Sequence, residues 1–423
     1  MNRRDFFKLA GLAGLTLIPG SSVANTGYGT PRPGPLAYEG AFWMFVNAGG
    51  GWDPTMLCDP KGRANEDEQD PVNTYLTSDI LTAGNISYAP VGYNDTFFQK
   101  YYQDLLIING IDMQTNGHDS GSRHAWSGRL VEGFPSLAAL VAASSGPELP
   151  MSYLSFGGYD LTAGLVARTR SGNTNALGRI AYPSRIDPQN ADERFHSVKA
   201  AELIQQARDG RRATQEISST LPAEQLSMNQ MFTATDGANE LKLLQQYLPA
   251  ELAQDNPLRR QAQVALAAYR AGISISVNLN YGGFDTHGDH DNLQSLRLQT
   301  LLEGIDAIWQ EAELQDVADN VIVVVGSDFG RTPTYNANNG KDHWSVGSMM
   351  LMGKGIGGNR VIGATTEKFQ PLSVDPGSLA LSESGIRIGP EHIHYELRKL
   401  AGVPADFEAM FPLNPVDKLP GLL

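Results

Sequence analysis

Ala41-Phe42-Trp43-Met44-Phe45-Val46-Asn47-Ala48-Gly49-Gly50-Gly51-Trp52-Asp53 carries the plainest structural signal in the chain. From Ala41 to Val46 the run is continuously apolar rather than alternating, which predicts a strand covered on both faces. It runs straight into a glycine turn and a carboxylate. Open α/β sheets place their ligand chemistry beyond the carboxyl ends of such strands. The same pattern recurs downstream. Asp104 to Gly110 reads as a second buried strand that opens into the polar segment Asp112 to Arg123. Gly272 to Asn280 reads as a third, ending in Gly282-Gly283-Phe284-Asp285-Thr286-His287-Gly288. Val321 to Val325 is a fourth, ending in Gly326-Ser327-Asp328-Phe329-Gly330-Arg331. Ser348 to Met352 and Arg360 to Ile362 read as short strands around a glycine-rich loop.

Helices are expected from near Ser122 or His124, from Pro135 as an allowed first helical position, and over Glu202 to Arg212, Asn256 to Arg270, Asn292 to Leu314 and His392 to Leu400. Strands alternating with helices predict an α/β fold, with a mostly parallel central sheet flanked by helices.

Outward from this core the chain changes texture. Arg3 and Arg4 are followed by Asp5-Phe6-Phe7-Lys8, an apolar stretch from Leu9 to Ile18, and the small residues of Ser22-Val23-Ala24. That order predicts a twin-arginine signal peptide over residues 1–24, a receptor-read address and not an anchor. The apolar stretch is shorter than the ~20 residues of a membrane span. The expected location is periplasmic or extracellular, with the twin-arginine translocase as partner during export. Residues 25–40 read as a linker, because Pro31, Pro33 and Pro35 forbid helix. A single domain is expected over 41–423, with an irregular segment at 59–95 and a polar helical insertion at about 185–265.

The 423 residues carry a formal charge of −14. That argues against nucleic acid or an anionic membrane surface as the main partner. A metal site can still reverse the local potential and admit an anionic substrate. Cys58 is the single cysteine, so no disulfide closes within the chain. It reads as a small buried apolar residue.

The chemistry-bearing residues gather at the predicted strand ends: Asp53; the Asp112 to His124 segment; Asp285 with His287; and Asp328. A fifth loop, just before a strand, offers Asp342 and His343. Any one aspartate after paired glycines is an ordinary turn former. Turn formation does not require histidine, and five such clusters beside buried strands point to a shared site. Asp285 and His287 are i and i+2, so an extended strand end turns both to one side. Mixed carboxylate and imidazole donors suit Zn, Mn or Fe, whereas carboxylates and water alone suit Mg or Ca. His118 and Asp119 are further candidate ligands, with one of His118 and His124 expected to serve only as a brace. His290 is a candidate outer brace for His287. His196 is expected on a solvated face, and His392 and His394 in the packing of the last helix.

Gly282 to Gly288, then Gly326-Ser327-Asp328-Phe329-Gly330-Arg331-Thr332-Pro333, then Asp342-His343-Trp344, together with Gly50-Gly51-Trp52-Asp53, resemble a family of exported bacterial proteins of unknown function. That family is placed in the alkaline phosphatase and sulfatase superfamily, and the resemblance spans essentially the whole chain beyond the leader. It implies that Asp53 and Asp328 ligate one ion, and Asp285, His287 and His343 a second. It implies a nucleophile in the region after the second core strand, among Thr115, Ser120 and Ser122. Ser122 is favoured, beside Arg123 and His124 and near a helix start that lowers its pKa.

The resemblance further implies a metal-dependent hydrolase acting on a phosphate or sulfate ester of a small molecule or glycan, with one or two divalent ions (Zn, Mn, Ca or Mg) activating a Ser/Thr hydroxyl or water. Arg123 or Arg331 is a candidate clamp for the anion; the other reading of Arg331 is a loop brace. Two departures stand out. Phe329 follows Asp328 where the phosphatases carry histidine, and the sulfatase cysteine signature is absent. They keep a second reading in view: a catalytically silent binding or assembly protein that retains the fold.

Overall fold

The computed structural model describes residues 38–423, apart from 171–178, 232–240, residue 415 and isolated single or paired positions between 180 and 250. The expected signal peptide and the linker as far as residue 37 lie outside the described residues.

Eight strands form one sheet: β1 Phe42–Gly49, β2 Leu105–Asp112, β3 Tyr153–Ser155, β4 Arg168–Arg170, β5 Ser276–Gly282, β6 Val321–Ser327, β7 Val346–Gly353 and β8 Arg360–Ile362. Their spatial order is β8-β2-β7-β6-β1-β5-β3-β4. β7 alone runs against its neighbours, antiparallel to β2 and to β6; every other pairing is parallel. The chain is therefore an α/β fold with a mostly parallel central sheet flanked by helices.

The continuous apolar runs are explained by burial on both faces. On β1, Phe42, Met44 and Val46 enter one core; Trp43 and Phe45 enter the other. β6 divides likewise, with Val321, Val323 and Val325 on one side and Ile322 and Val324 on the other. The first core is closed by α3 (Pro257–Arg270) and α4 (His290–Leu314), the second by α1 (His118–Ser127), α2 (Leu137–Ser145) and α5 (Pro390–Leu400).

Register fixes where the site can form. Gly49 pairs with Gly282, and Ala48 with Ser327, so the loops leaving β1, β5 and β6 start level. Val346 pairs with Asp112. Because β7 is reversed, the residues preceding it lie at the edge where the parallel strands end. A loop read as coming before a strand thus joins loops that follow strands.

Several expected boundaries move. Helix α1 begins at His118, four residues ahead of Ser122. Helix α2 begins after Pro135, at Leu137, because the Ser136 side chain accepts from Ala139 N at 3.2 Å and caps it. Gly272 to Ile275 are not strand: Gly272 has φ +72° and closes α3, and β5 starts at Ser276. Strands β3 and β4, three residues each, were not expected. The 59–95 segment holds a small hairpin of Leu81–Ala83 with Ile86–Tyr88 and leads into a helix at Asn94–Tyr101. Within 185–265 the described helices are Val198–Ser218, Leu241–Tyr247 and α3. Among the described residues, no helix is long and apolar enough to cross a membrane.

Candidate metal centre

The turn Gly49-Gly50-Gly51 is the hub of the sheet edge. Gly50 has φ +114°, and a Cβ there would stand 2.7 Å from Asp285 N. Only glycine lets the β1 and β5 turns approach this closely. Gly50 N donates to Asp328 Oδ2 at 3.0 Å, and the carbonyls of Gly50 and Gly51 accept from the Arg331 guanidinium. One short turn thereby ties together the ends of β1, β5 and β6.

Three imidazoles converge on Asp285. His287 Nε2 and His343 Nε2 each lie 3.0 Å from Asp285 Oδ1, and 3.1 Å from one another. His118 Nε2 lies 3.5 Å from Asp285 Oδ2. The coordinating atoms of His118, Asp285 and His343 all fall within 4.8 Å of one another. The outer nitrogens settle the tautomers. His287 Nδ1 donates to Asp342 Oδ1 at 2.8 Å, His343 Nδ1 to the Asn116 carbonyl at 2.8 Å, and His118 Nδ1 to Asp328 Oδ2 at 2.8 Å. Each neutral ring therefore turns its Nε2 lone pair inward, onto a carboxylate. Lone pairs and a carboxylate facing each other at about 3 Å repel unless a positive charge sits among them. Outer nitrogens held by carboxylate or carbonyl, with inner nitrogens converging, is how proteins orient imidazole ligands to a metal. The residues fit a single divalent cation.

Charge and exposure agree with that geometry. Partial burial raises the Asp285 carboxyl, but the Arg331 guanidinium against it outweighs this and holds it at about 2. The hydrogen bond to Asp328 raises the His118 pKa against its partial desolvation, and the hydrogen bond from His287 lowers Asp342. The Asp285 and His287 side chains are 44% and 46% exposed, so the centre opens to solvent. Beneath it lies the buried Phe329 ring, with centroids 4.9 Å from His118 and 4.6 Å from His343. Phe329 thus makes an apolar floor.

The expected ligands divide. Asp285, His287 and His343 stand together, and His118 completes the group. Asp328 and Asp53, expected to hold one ion together, have separate sets of hydrogen-bond partners. Asp328 accepts from Gly50 N, His118 and Ser122 Oγ, the last at 2.8 Å, and so orients the centre from one side. Asp53 is fully buried, and its Oδ2 takes the Lys341 ammonium at 2.7 Å and His290 Nε2 at 2.9 Å. Burial would raise that carboxyl, but Lys341 and His290 hold it far below the usual carboxylate range. His290 therefore braces Asp53 and Thr286, not His287.

The expected catalytic trio also separates, for a helical reason. Consecutive residues on α1 point about 100° apart, whereas His118 and Ser122, at i and i+4, share a face. Ser122 faces Asp328. Arg123 turns away to the Leu130 carbonyl and Glu132. His124 is buried, donating to the Met113 carbonyl and lying 3.2 Å from Glu391. Glu391 is held at about 2 despite burial, because His124 lies against it. Thr115 Oγ1 and Ser120 Oγ bond each other at 2.6 Å. Arg331 is fully buried and spent on Gly50 O, Gly51 O, Lys341 O and Asp285, so it is a brace and not an anion clamp. His196 is exposed, and His392 and His394 are buried on α5. The part played by Lys341 gave no signal in sequence: a lone lysine in a polar loop looks solvated.

Residues 43–376 match the model of a family described as "Protein of unknown function (DUF1501)". Among curated proteins nothing matches. Several solved structures are similar at low identity. One is Ps i-CgsB in complex with k-i-k-neocarrahexaose, at 9% identity and TM-score 0.42, covering 90% of this chain and 76% of that one. A second is the lipoteichoic acid synthase LtaP from Listeria monocytogenes, at 8% and 0.38, covering 89% and 76%. A third is the alkaline phosphatase from the Antarctic bacterium TAB5, at 9% and 0.35, covering 87% and 100%.

Proposed function

This chain belongs to the DUF1501 family, and we propose that it is an exported hydrolase of phosphate or sulfate esters that works with one divalent metal ion held by His118, Asp285, His287 and His343. The observation that carries the reading is the trio of inward Nε2 atoms around Asp285, each fixed from behind. Three imidazoles and one carboxylate favour zinc or manganese over magnesium or calcium. When bound, such an ion supplies Lewis acidity toward an ester oxygen.

The remaining parts act through the chain itself. Ser122 directs its hydroxyl proton at Asp328 Oδ1, the arrangement of a hydroxyl nucleophile and its base. Ser122 Oγ attacks the phosphorus or sulfur of the ester as its proton passes to Asp328. The bond from phosphorus or sulfur to the alcohol oxygen breaks and that oxygen takes the proton from Asp328; water then attacks the seryl ester, its oxygen leaving with the phosphate or sulfate and one of its protons restoring the Ser122 hydroxyl. Phe329 keeps water from beneath the centre, and Asp342 and Asn116 hold the two rings in place. The substrate is an ester of a small molecule or glycan, met in the periplasm or outside the cell after twin-arginine export.

The test is elemental analysis of the purified protein with hydrolysis of aryl phosphate and aryl sulfate probes. One zinc or manganese per chain is expected, absent from Asp285→Ala, with turnover lost in both Asp285→Ala and Ser122→Ala. Folded protein that takes up no divalent ion sinks the reading. A second reading is favoured by Arg331 and Lys341, whose positive charges are both buried and already spent. On that reading the centre binds an ion and a ligand without turnover, and every probe stays intact while the ion remains bound. Export is tested by replacing Arg3 and Arg4 with lysine and following the chain by cell fractionation; retention in the cytoplasm is expected.

A further inference from the structure

Asp53, after the end of β1, holds a buried positive charge that the chain itself supplies. Asp53 Oδ1 accepts from Thr55 N at 2.8 Å and Thr55 Oγ1 at 2.6 Å, while Asp53 Oδ2 accepts from Lys341 Nζ. The same ammonium donates to Asn73 Oδ1 at 2.8 Å and lies 3.5 Å from Thr55 Oγ1. Asn73 spends its amide N–H groups on Thr55 and the Lys61 carbonyl, which leaves its oxygen facing the ammonium. Asp53, Asn73, Thr55 and Lys341 are all buried. A carboxylate, an amide oxygen and a hydroxyl around a buried positive centre form the donor set of a hard divalent cation. Lysine is almost never fully buried unless paired, and here the three groups bonded to its ammonium each offer oxygen, while His290 Nε2 lies on one of those partners, Asp53 Oδ2.

We propose that Asp53, Thr55 and Asn73 form a cation pocket which the Lys341 ammonium occupies in place of a divalent ion, so that the protein carries one exchangeable ion and not two. Only the count of one rests on the reading of the Asp285 centre; the pocket stands on its own contacts. A tethered cation cannot dissociate, so no second ion is available to share the attacking and leaving oxygens of a displacement. It also pins a loop. Lys341 N donates to Thr286 O and Lys341 O accepts from Arg331, two residues ahead of His343.

Manganese bound per chain, measured by equilibrium dialysis and elemental analysis, tests this on the wild type, Lys341→Ala, and Lys341→Ala with Asp285→Ala. The expected counts are one, two and one, and manganese should raise the melting temperature of the double variant. Lys341→Met, whose side chain fills the space without charge, should gain no ion. A folded double variant that takes up no manganese at millimolar concentration overturns the proposal. Should Lys341→Ala fail to fold in chelator, recovery on refolding with manganese supports the pocket, and failure with manganese also present overturns it. A wild type with no ion beside a Lys341→Ala variant with one would remove the Asp285 centre and leave this pocket standing.

Discussion

Asp53 and Asp285 both follow glycine turns at the ends of central strands, and their surroundings take them in opposite directions. Asp285 is half exposed and ringed by imidazole lone pairs; Asp53 is sealed against an ammonium. Sequence pattern alone ranks them together, because the partner that separates them, Lys341, arrives from 288 residues away. Replacing Asp53 with asparagine leaves that ammonium buried without its counter-charge, which should cost about 3–5 kcal/mol at neutral pH in urea unfolding. The pH dependence follows from the depressed carboxyl. Its contribution is complete above the ordinary value of 3.8 and is lost as pH falls through the lower folded value. The stability gap between wild type and Asp53→Asn should therefore be widest near neutrality and narrow below pH 3.8. At the centre, Asp342→Asn keeps the shape but weakens the hold on His287 Nδ1. It should reduce metal affinity by roughly 10–100-fold, read by competition with a chelator, with little change in the folded circular dichroism spectrum.

At the scale of elements, the site is a product of one turn, one helix and one reversed strand. The turn after β1 depends on positive φ at Gly50 and Gly51. A Cβ on Gly51 would come 2.7 Å from the Phe329 ring. Gly51→Ala should cost at least about 1–2 kcal/mol from backbone strain alone, and should also weaken metal binding by displacing the ring beneath His118 and His343. A melting curve and a manganese titration on one sample check both effects. Helix α1 supplies His118 and Ser122 from one face, a relation that becomes visible only once the helix is known to start at His118. The histidine cluster Asn116 to His124 was legible as a site segment. Which of its members point inward was not, because the boundary lay four residues earlier than its polar sequence suggested. Strand β7 brings His343 to the same edge by running backwards, whereas a fully parallel arrangement would leave that residue at the far end of the sheet.

Across the whole molecule, the strand ends and the central sheet were readable because runs such as Phe42 to Val46 and Val321 to Val325 admit little besides a strand buried on both faces. The three-residue strands β3 and β4 carry no periodic signal of that strength. The counting of ions was out of reach for a different reason, since it depends on contacts between segments hundreds of positions apart. An ion at the centre would join loops from β2, β5 and β7. Any ligand that binds only the folded state stabilises it, by about 2.7 kcal/mol when present at 100 times its dissociation constant. Chelation should therefore lower the melting temperature as one cooperative shift of the whole transition, and excess zinc or manganese should restore it; a calorimetric scan separates this from a local loosening. Order of synthesis adds a last consequence. His343 reaches the Asn116 carbonyl across 227 residues, so a ribosome must deliver most of the chain before the ring of imidazoles can close. Whichever compartment holds the polypeptide at that late moment sets the ion supply from which the centre is first loaded.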